Sequence, residues 1–276
     1  MSSKATVVVR RVEKRYELSG SGSNYSLFKS KRASVVNALQ DVSFVARTGE
    51  SIGVVGRNGS GKSTLFRLIA GSEAPTRGNI HVSSTPTLLG VSSALQGNLT
   101  GDQNIQLGLL AMGLSPNEAR SMKSEVAEWA DLSNAIGRPL KTYSSGMRAR
   151  LVFAISTAVR REILLVDEAL STGDKAFARK AKERMDSFLE NTGTVFIVSH
   201  GAGTIQEYCS RAIWLHDGRV IMDGDAVETS KAYVRWSKLH SRDQTERANR
   251  YLEECRAAYV EPRILFEHEV ERFLNK

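Results

Sequence analysis

The chain has 276 residues, 41% hydrophobic and 25% charged, which suits a globular protein with one large domain and a smaller appendage. No apolar run approaches the roughly 18–20 residues needed to cross a bilayer, and Met1–Ala5 lacks a signal-peptide core, so the chain is expected to begin and stay in the cytosol. The net charge is +8, and two thiols, Cys209 and Cys255, with no CxxC pair or Cys/His cluster, argue against structural zinc and against a disulfide.

Thr6–Arg10 reads as a strand from its β-branched run. Ahead of Asp41, the cations Lys4, Arg10, Arg11, Lys14, Arg15, Lys29, Lys31 and Arg32 stand against only Glu13 and Glu17. Such an excess suits nucleic acid, anionic headgroups or an acidic substrate, but composition alone favours a solvated basic face. No zinc finger, RNA-recognition aromatic motif or basic zipper accompanies it, so no nucleic-acid partner is expected. Ser19–Asn24 is a flexible stretch within an insertion from about Leu18 to Ser34.

Ile52–Val55 is a short apolar strand, followed by a glycine-rich turn and a helix over Lys62–Ala70 that stops at Gly71. Thr100–Leu140 is rich in helix formers, and a helix is expected over Arg148–Val159. Ile163–Val166 and Thr194–Val198 read as buried strands. Ile213–Val220 and Ile221–Gly224 read as strands around the turn signal Asp217-Gly218. Helices are expected over Asp243–Tyr259 and Ile264–Leu274, separated by Pro262. Phe266, Val270, Phe273 and Leu274 share one face of the second, the pattern of a packing stripe. Alternating strands and helices predict an α/β fold with a parallel sheet covered on both faces. The helical stretch, about 95–158, reads as a subdomain inserted into a domain over 1–231, with a helical extension over 232–276.

Gly56-Arg57-Asn58-Gly59-Ser60-Gly61-Lys62-Ser63-Thr64 fits G-x-x-x-x-G-K-[ST], with a strand before it and a helix after. Glycines let successive N–H groups point at phosphate oxygens, and the helix start adds a positive dipole end. Lys62 is placed to reach the β- and γ-phosphates, and Ser63 to ligate Mg²⁺. The strand Ile163–Val166 delivers Asp167 and Glu168 to its carboxyl end, where ligands bind in open α/β sheets. Asp167 is the candidate for the Mg²⁺ shell and Glu168 for orienting or deprotonating the attacking water. His200, after the strand Thr194–Val198, is a candidate contact to the γ-phosphate and that water. In Tyr143-Ser144-Ser145-Gly146-Met147, Ser144 supplies a hydroxyl and Gly146 permits close backbone approach at a helix start. Alone, that pentapeptide reads only as a helix cap.

Together, in this order, these segments resemble the nucleotide-binding subunit of an ABC transporter over about residues 5–231. The resemblance implies a P-loop ATPase fold, a RecA-like core with an N-terminal β-subdomain and a helical insert. It implies ATP and Mg²⁺ as ligands and makes Ser144, Ser145 and Gly146 the signature. Asp174 falls in the D-loop Ser171–Asp174, His200 is the switch histidine, and Tyr16 is the aromatic that stacks on adenine. It further implies a head-to-tail dimer in which one copy's signature completes the site around the other's Lys62, and a separate membrane permease. The chain departs from the family where Ala169-Leu170 replaces the usual proline, where Ser145 replaces a glycine, and where no glutamine occupies the Q-loop place near Val91. Gln96 is nearby but out of register. Gly97–Ile105, Tyr143–Met147 and Asp167–Asp174 look like the corresponding parts of exporters of O-antigen, capsular polysaccharide and teichoic acid. That implies a glycolipid cargo and a peripheral place at the cytoplasmic face of the plasma membrane. A transporter ATPase for a drug or lipid, and a non-transport ABC ATPase, remain alternatives.

Overall fold

The computed structural model describes residues 4–18, 34–89, 95–159, 161–167, 175–190, 193–199 and 201–265. Strands β1 (Ala5–Leu18), β2 (Ser34–Arg47) and β4 (Arg77–Val82) form an antiparallel sheet in the order β2-β1-β4. β1 runs well beyond the expected Thr6–Arg10, and β2 was not foreseen. The cause is a pair of bulges. Buried positions step by two at Val7 and Val9 but by three to Val12, and by three again from Leu39 to Val42. Arg11 (φ 49°) and Asp41 (φ 54°) occupy the extra positions in left-handed backbone, and Arg11 Nε bonds Asp41 at 3.2 Å. Period-two reading breaks at such a step.

The second sheet has the order β5-β6-β7-β3-β8-β9, from β3 (Ser51–Val55), β5 (Thr87–Leu89), β6 (Ile163–Asp167), β7 (Thr194–Val198), β8 (Arg211–His216) and β9 (Arg219–Asp225). All neighbours are parallel except β8 and β9. β3 and β7 are buried at every position, as near-continuous apolar runs in a covered parallel sheet should be. The expected strand Ile213–Val220 is corrected: the turn at Asp217 (φ 45°) and Gly218 (φ 75°) ends β8 at His216, and β9 starts at Arg219.

The helices are α1 (Lys62–Ile69), α2 (Gly101–Ala111), α3 (Pro116–Trp129), α4 (Ser145–Ala158), α5 (Lys175–Glu190), α6 (Ala202–Tyr208), α7 (Ala226–Ser241) and α8 (Thr245–Ala258). Capping boxes start α2 (Thr100 with Gln103) and α3 (Ser115 with Glu118). One apolar cluster lies around Phe44, Phe66 and Phe196, joining both sheets to α1. A second, around Phe177, Trp214 and Trp236, lies on the other face of the larger sheet. The third, with Ile105, Leu109, Val126, Leu151 and Ile155, is shared by α2, α3 and α4. Arg211 ties the two sheets, donating to both carboxylate oxygens of Asp223 (2.6 and 2.7 Å), to Val45 O (2.8 Å) and to Glu50 (3.1 Å).

The helix expected over Asp243–Tyr259 is α8. Position 232, the expected start of the C-terminal extension, falls inside α7, which is continuous there. Residues 261–265 are not helical; the rest of the expected Ile264–Leu274 helix, with Phe266, Val270, Phe273 and Leu274, lies outside the described residues.

Candidate functional site

β3 ends at Val55, and the chain then turns through Gly56 (φ 154°), Gly59 (φ 81°) and Gly61 (φ 103°) into α1. A Cβ on Gly56 would stand 2.3 Å from Leu215 O, and one on Gly61 2.5 Å from Ala38 O. Glycine is therefore required at both by space as well as by φ. The β8–β9 turn clamps the loop: Gly218 N donates to Ser60 O at 3.1 Å, while Gln40 N donates to Gly218 O at 2.8 Å.

Lys62 is buried, and its Nζ donates to Gly56 O (2.7 Å) and Arg57 O (2.9 Å), so its charge is held across the loop by carbonyls. Gly61 caps α1 with no side-chain bond, and the first turn carries no acid. The helix start thus keeps amide donors and its positive dipole end for an anion. Ser60 Oγ is buried without a hydrogen-bond partner among the described residues. Asn58, Gly59 and Ser63 are exposed, and Thr64 is buried beside Arg67 (3.4 Å).

Strand register brings Asp167 to the same edge. Asp167 pairs with Val198 across β6 and β7, and Val198 with Val54 across β7 and β3. The carboxyl ends of β3, β6 and β7 are therefore level, two residues short of Gly56. Glu168, the segment Ser171–Asp174 and His200 lie outside the described residues; the strands they follow end at this edge.

Tyr16, near the end of β1, is half-buried. Its hydroxyl donates to Glu73 at 2.6 Å and accepts from Arg67 Nη2 at 3.2 Å, and Lys14 Nζ lies 5.0 Å from its ring centre. The Tyr16 hydroxyl, together with Lys14 and Arg67, holds the Glu73 carboxyl below its usual range, and the same hydroxyl raises the Arg67 guanidinium. Because Arg67 belongs to α1, Tyr16 is fixed to the helix that begins at the phosphate loop. This triad was not visible in the sequence, where Tyr16 lies far from Arg67 and Glu73.

At the signature segment, Tyr143 is buried and donates to Ala135 O at 2.9 Å; burial raises its phenol. The helix expected from Arg148 starts at Ser145, with Ser144 Oγ capping it by accepting from Met147 N at 3.2 Å. Ser144 and Ser145 are exposed, and the first turn of α4 has no acidic residue. Among the described residues a Cβ on Gly146 would meet nothing closer than Ser144 Oγ at 4.0 Å, so none of them demands glycine there. In the region of the missing Q-loop glutamine, Val91 lies outside the described residues and Gln96 is exposed. Buried Asn104 accepts from Gln96 N and donates to the carbonyls of Gln96, Leu99 and Thr100, which fixes the turn into α2.

The basic N-terminal segment is less bare than its composition implies. Lys4, Arg11 and Lys14 pair with Glu162, Asp41 and Glu73 from later in the chain, and Arg15 pairs with Glu13. Lys29, Lys31 and Arg32 lie outside the described residues. Among the described residues no group of three His, Cys, Asp or Glu is placed to hold a metal, and no helix is long and apolar enough to cross a membrane.

A family model described as ABC transporter matches residues 39–171. The teichoic acids export ATP-binding protein TagH of Bacillus cereus is 38% identical over 252 residues, covering 90% of this chain and 46% of that protein. The protein of the same name from Listeria innocua is 35% identical over 258 residues, covering 92% of this chain and 77% of its own length. That of Staphylococcus haemolyticus is 40% identical over 201 residues, covering 73% and 76%. The chain spans under half the length of the Bacillus relatives. A solved structure described as the ATP-binding subunit of an ABC transporter superposes with TM-score 0.66 at 22% identity, covering 83% of this chain and 93% of that one. A dimeric ATP-binding cassette in a post-hydrolysis state superposes with TM-score 0.66 at 23% identity, covering 80% and 98%. The loop geometry, the sheet order and these likenesses agree: the chain belongs to the ABC transporter family, in the branch that holds the teichoic acids export ATP-binding proteins, and its fold is that of the ABC ATPases.

Proposed function

We propose that this chain binds and hydrolyses ATP to power export of a lipid-linked polysaccharide or teichoic-acid-type polymer, at the cytoplasmic face of the plasma membrane. The observation that carries the reading is the pairing, in one chain, of a clamped phosphate loop with a second open helix start at Ser144–Gly146. The first can bind a triphosphate by itself. The second offers exposed donors and unfilled space to a ligand outside the chain. Two copies, head to tail, would each lend that helix start to the other's nucleotide. The named function of the Listeria and Bacillus relatives supports the cargo class.

In this reading Lys62 leaves the carbonyls of Gly56 and Arg57 for the β- and γ-phosphates, and the loop and α1 amides take the remaining oxygens. Mg²⁺ prefers a few hard oxygen ligands plus the substrate's phosphates, and the exposed Ser63 hydroxyl and Asp167 are the donors this chain supplies. When bound, the ion neutralises charge on the phosphates. Glu168 orients the attacking water, His200 contacts the γ-phosphate, Asp174 contributes from the D-loop, and Tyr16 stacks on adenine. Residues 95–158 form the inserted subdomain, and 91–103 carry the contact to the permease.

The test pairs chemistry with cargo. Glu168→Gln should keep ATP affinity, reduce turnover at least about a hundredfold, and trap an ATP-bound dimer on size exclusion. Full hydrolysis by that variant would reject the assignment. Deletion of the gene should remove one surface polymer; loss of a drug or lipid efflux phenotype instead would replace the cargo while leaving the ATPase.

A further inference from the structure

Arg57 is an exposed member of the phosphate loop, yet its guanidinium is engaged from the far end of the chain. Its Nη1 lies 2.9 Å from His240 Nε2, and its guanidinium carbon lies 5.9 Å from the Trp236 ring centre. Arginine can only donate, so His240 Nε2 accepts and the ring proton of the neutral imidazole is on Nδ1. His240 is itself mounted on a rigid support. Its ring stacks on Trp236 (5.3 Å, 18°), Trp236 is buried and packs on Trp214 (5.7 Å), and His216 at the end of β8 meets Trp236 edge-on at 4.7 Å.

This contact bears on the loop through the backbone. The Arg57 carbonyl accepts from Lys62 Nζ at 2.9 Å and from Ser60 N at 3.1 Å. The set of the Arg57 peptide therefore governs both the waiting position of Lys62 and the curl of the loop. Other titratable groups near the guanidinium are His216 and Tyr233, and the Asp217 carboxylate lies 3.5 Å from His216 Nε2.

We propose that His240, carried on Trp236, is a positioning residue for ATP binding, through which α7 preorganises the phosphate loop by holding Arg57. The inference rests on the reading of this loop as the ATP site. Loss of ATP binding in Lys62→Ala tests that reading separately.

The experiment measures steady-state ATP hydrolysis by the full chain in His240→Ala, His240→Phe, His240→Gln and Arg57→Ala, and in the double variant R57A/H240A. Losing one preorganising hydrogen bond predicts a rise of about three- to tenfold in KM for ATP, with kcat within about twofold, for H240A and H240F. H240F keeps the stacking and lacks the acceptor, so it carries the test even if H240A unfolds. H240Q, whose amide oxygen can stand near the Nε2 position, should recover most of the parental KM. In the R57A background, H240A should have no further effect. Equal H240A effects with and without Arg57, an unchanged KM in H240F, or failure of H240Q to recover would each overturn the proposal.

Discussion

Gly56 has two independent reasons to be glycine: its φ of 154° and the 2.3 Å a Cβ would leave to Leu215 O. Gly56→Ala must displace either the loop or the end of β8. It should cost about 2 kcal/mol or more of stability in urea unfolding and weaken ATP binding more than tenfold. A variant with parental values for both would mean that the loop tolerates a different path. Cys209 illustrates burial acting alone. Packed against the Ile205 region, its thiol is pushed up to about 12 by desolvation. The unfolded chain releases that proton first, near 8.5, so this contribution is intact below that pH and is lost as pH rises toward about 12. The native chain should accordingly react with a thiol reagent at half-exposed Cys255 well before Cys209, and both should react at one rate in guanidinium.

Among the elements, α4 separates a structural role from a chemical one at the same residue. Ser144 caps the helix, and aspartate caps as well as serine does. Ser144→Asp should therefore leave the melting temperature within a few degrees, but it places a carboxylate where the partner's γ-phosphate is proposed to bind. ATPase activity should fall at least tenfold, and parental activity would remove Ser144 from the composite site. How much of the elements was legible follows the same logic of local against distant causes. β3, β6 and β7 were readable because buried parallel strands are uninterrupted apolar runs. β1 was readable only as far as Arg10 and β2 not at all, because the bulges at Arg11 and Asp41 shift the alternation by one residue. The β8–β9 turn was readable from Asp217-Gly218, although the strand ends around it were not.

For the whole molecule, the phosphate loop was legible because its chemistry is local. Its supports were not, because they come from every part of the chain: Gly218 and Gln40 at its back, Arg67 and Glu73 around Tyr16, and Trp236 and His240 beside Arg57. The pairing of Lys4 and Lys14 was hidden for the same reason, since their carboxylate partners Glu162 and Glu73 lie far along the sequence. Arg211 is the largest such tie, bridging both sheets through Asp223, Glu50 and Val45 O. Lysine keeps the charge but cannot reproduce the fork. Arg211→Lys should cost about 2–3 kcal/mol of global stability, measured by urea unfolding at constant m-value; a loss under about 0.5 kcal/mol would mean the bridge is no better than a surface pair.

The tip of the β8–β9 hairpin carries a practical consequence. Two-residue turns at the surface are where chains ordinarily accept tags, insertions and new termini. Here the amide and carbonyl of Gly218 are both committed, one to Ser60 and the other to Gln40. A peptide spliced between Asp217 and Gly218 would leave the hairpin's strands able to pair yet unseat the loop that holds Lys62. This small surface turn is thus closed to grafting, and any fluorescent or affinity label for following nucleotide exchange belongs elsewhere on the molecule.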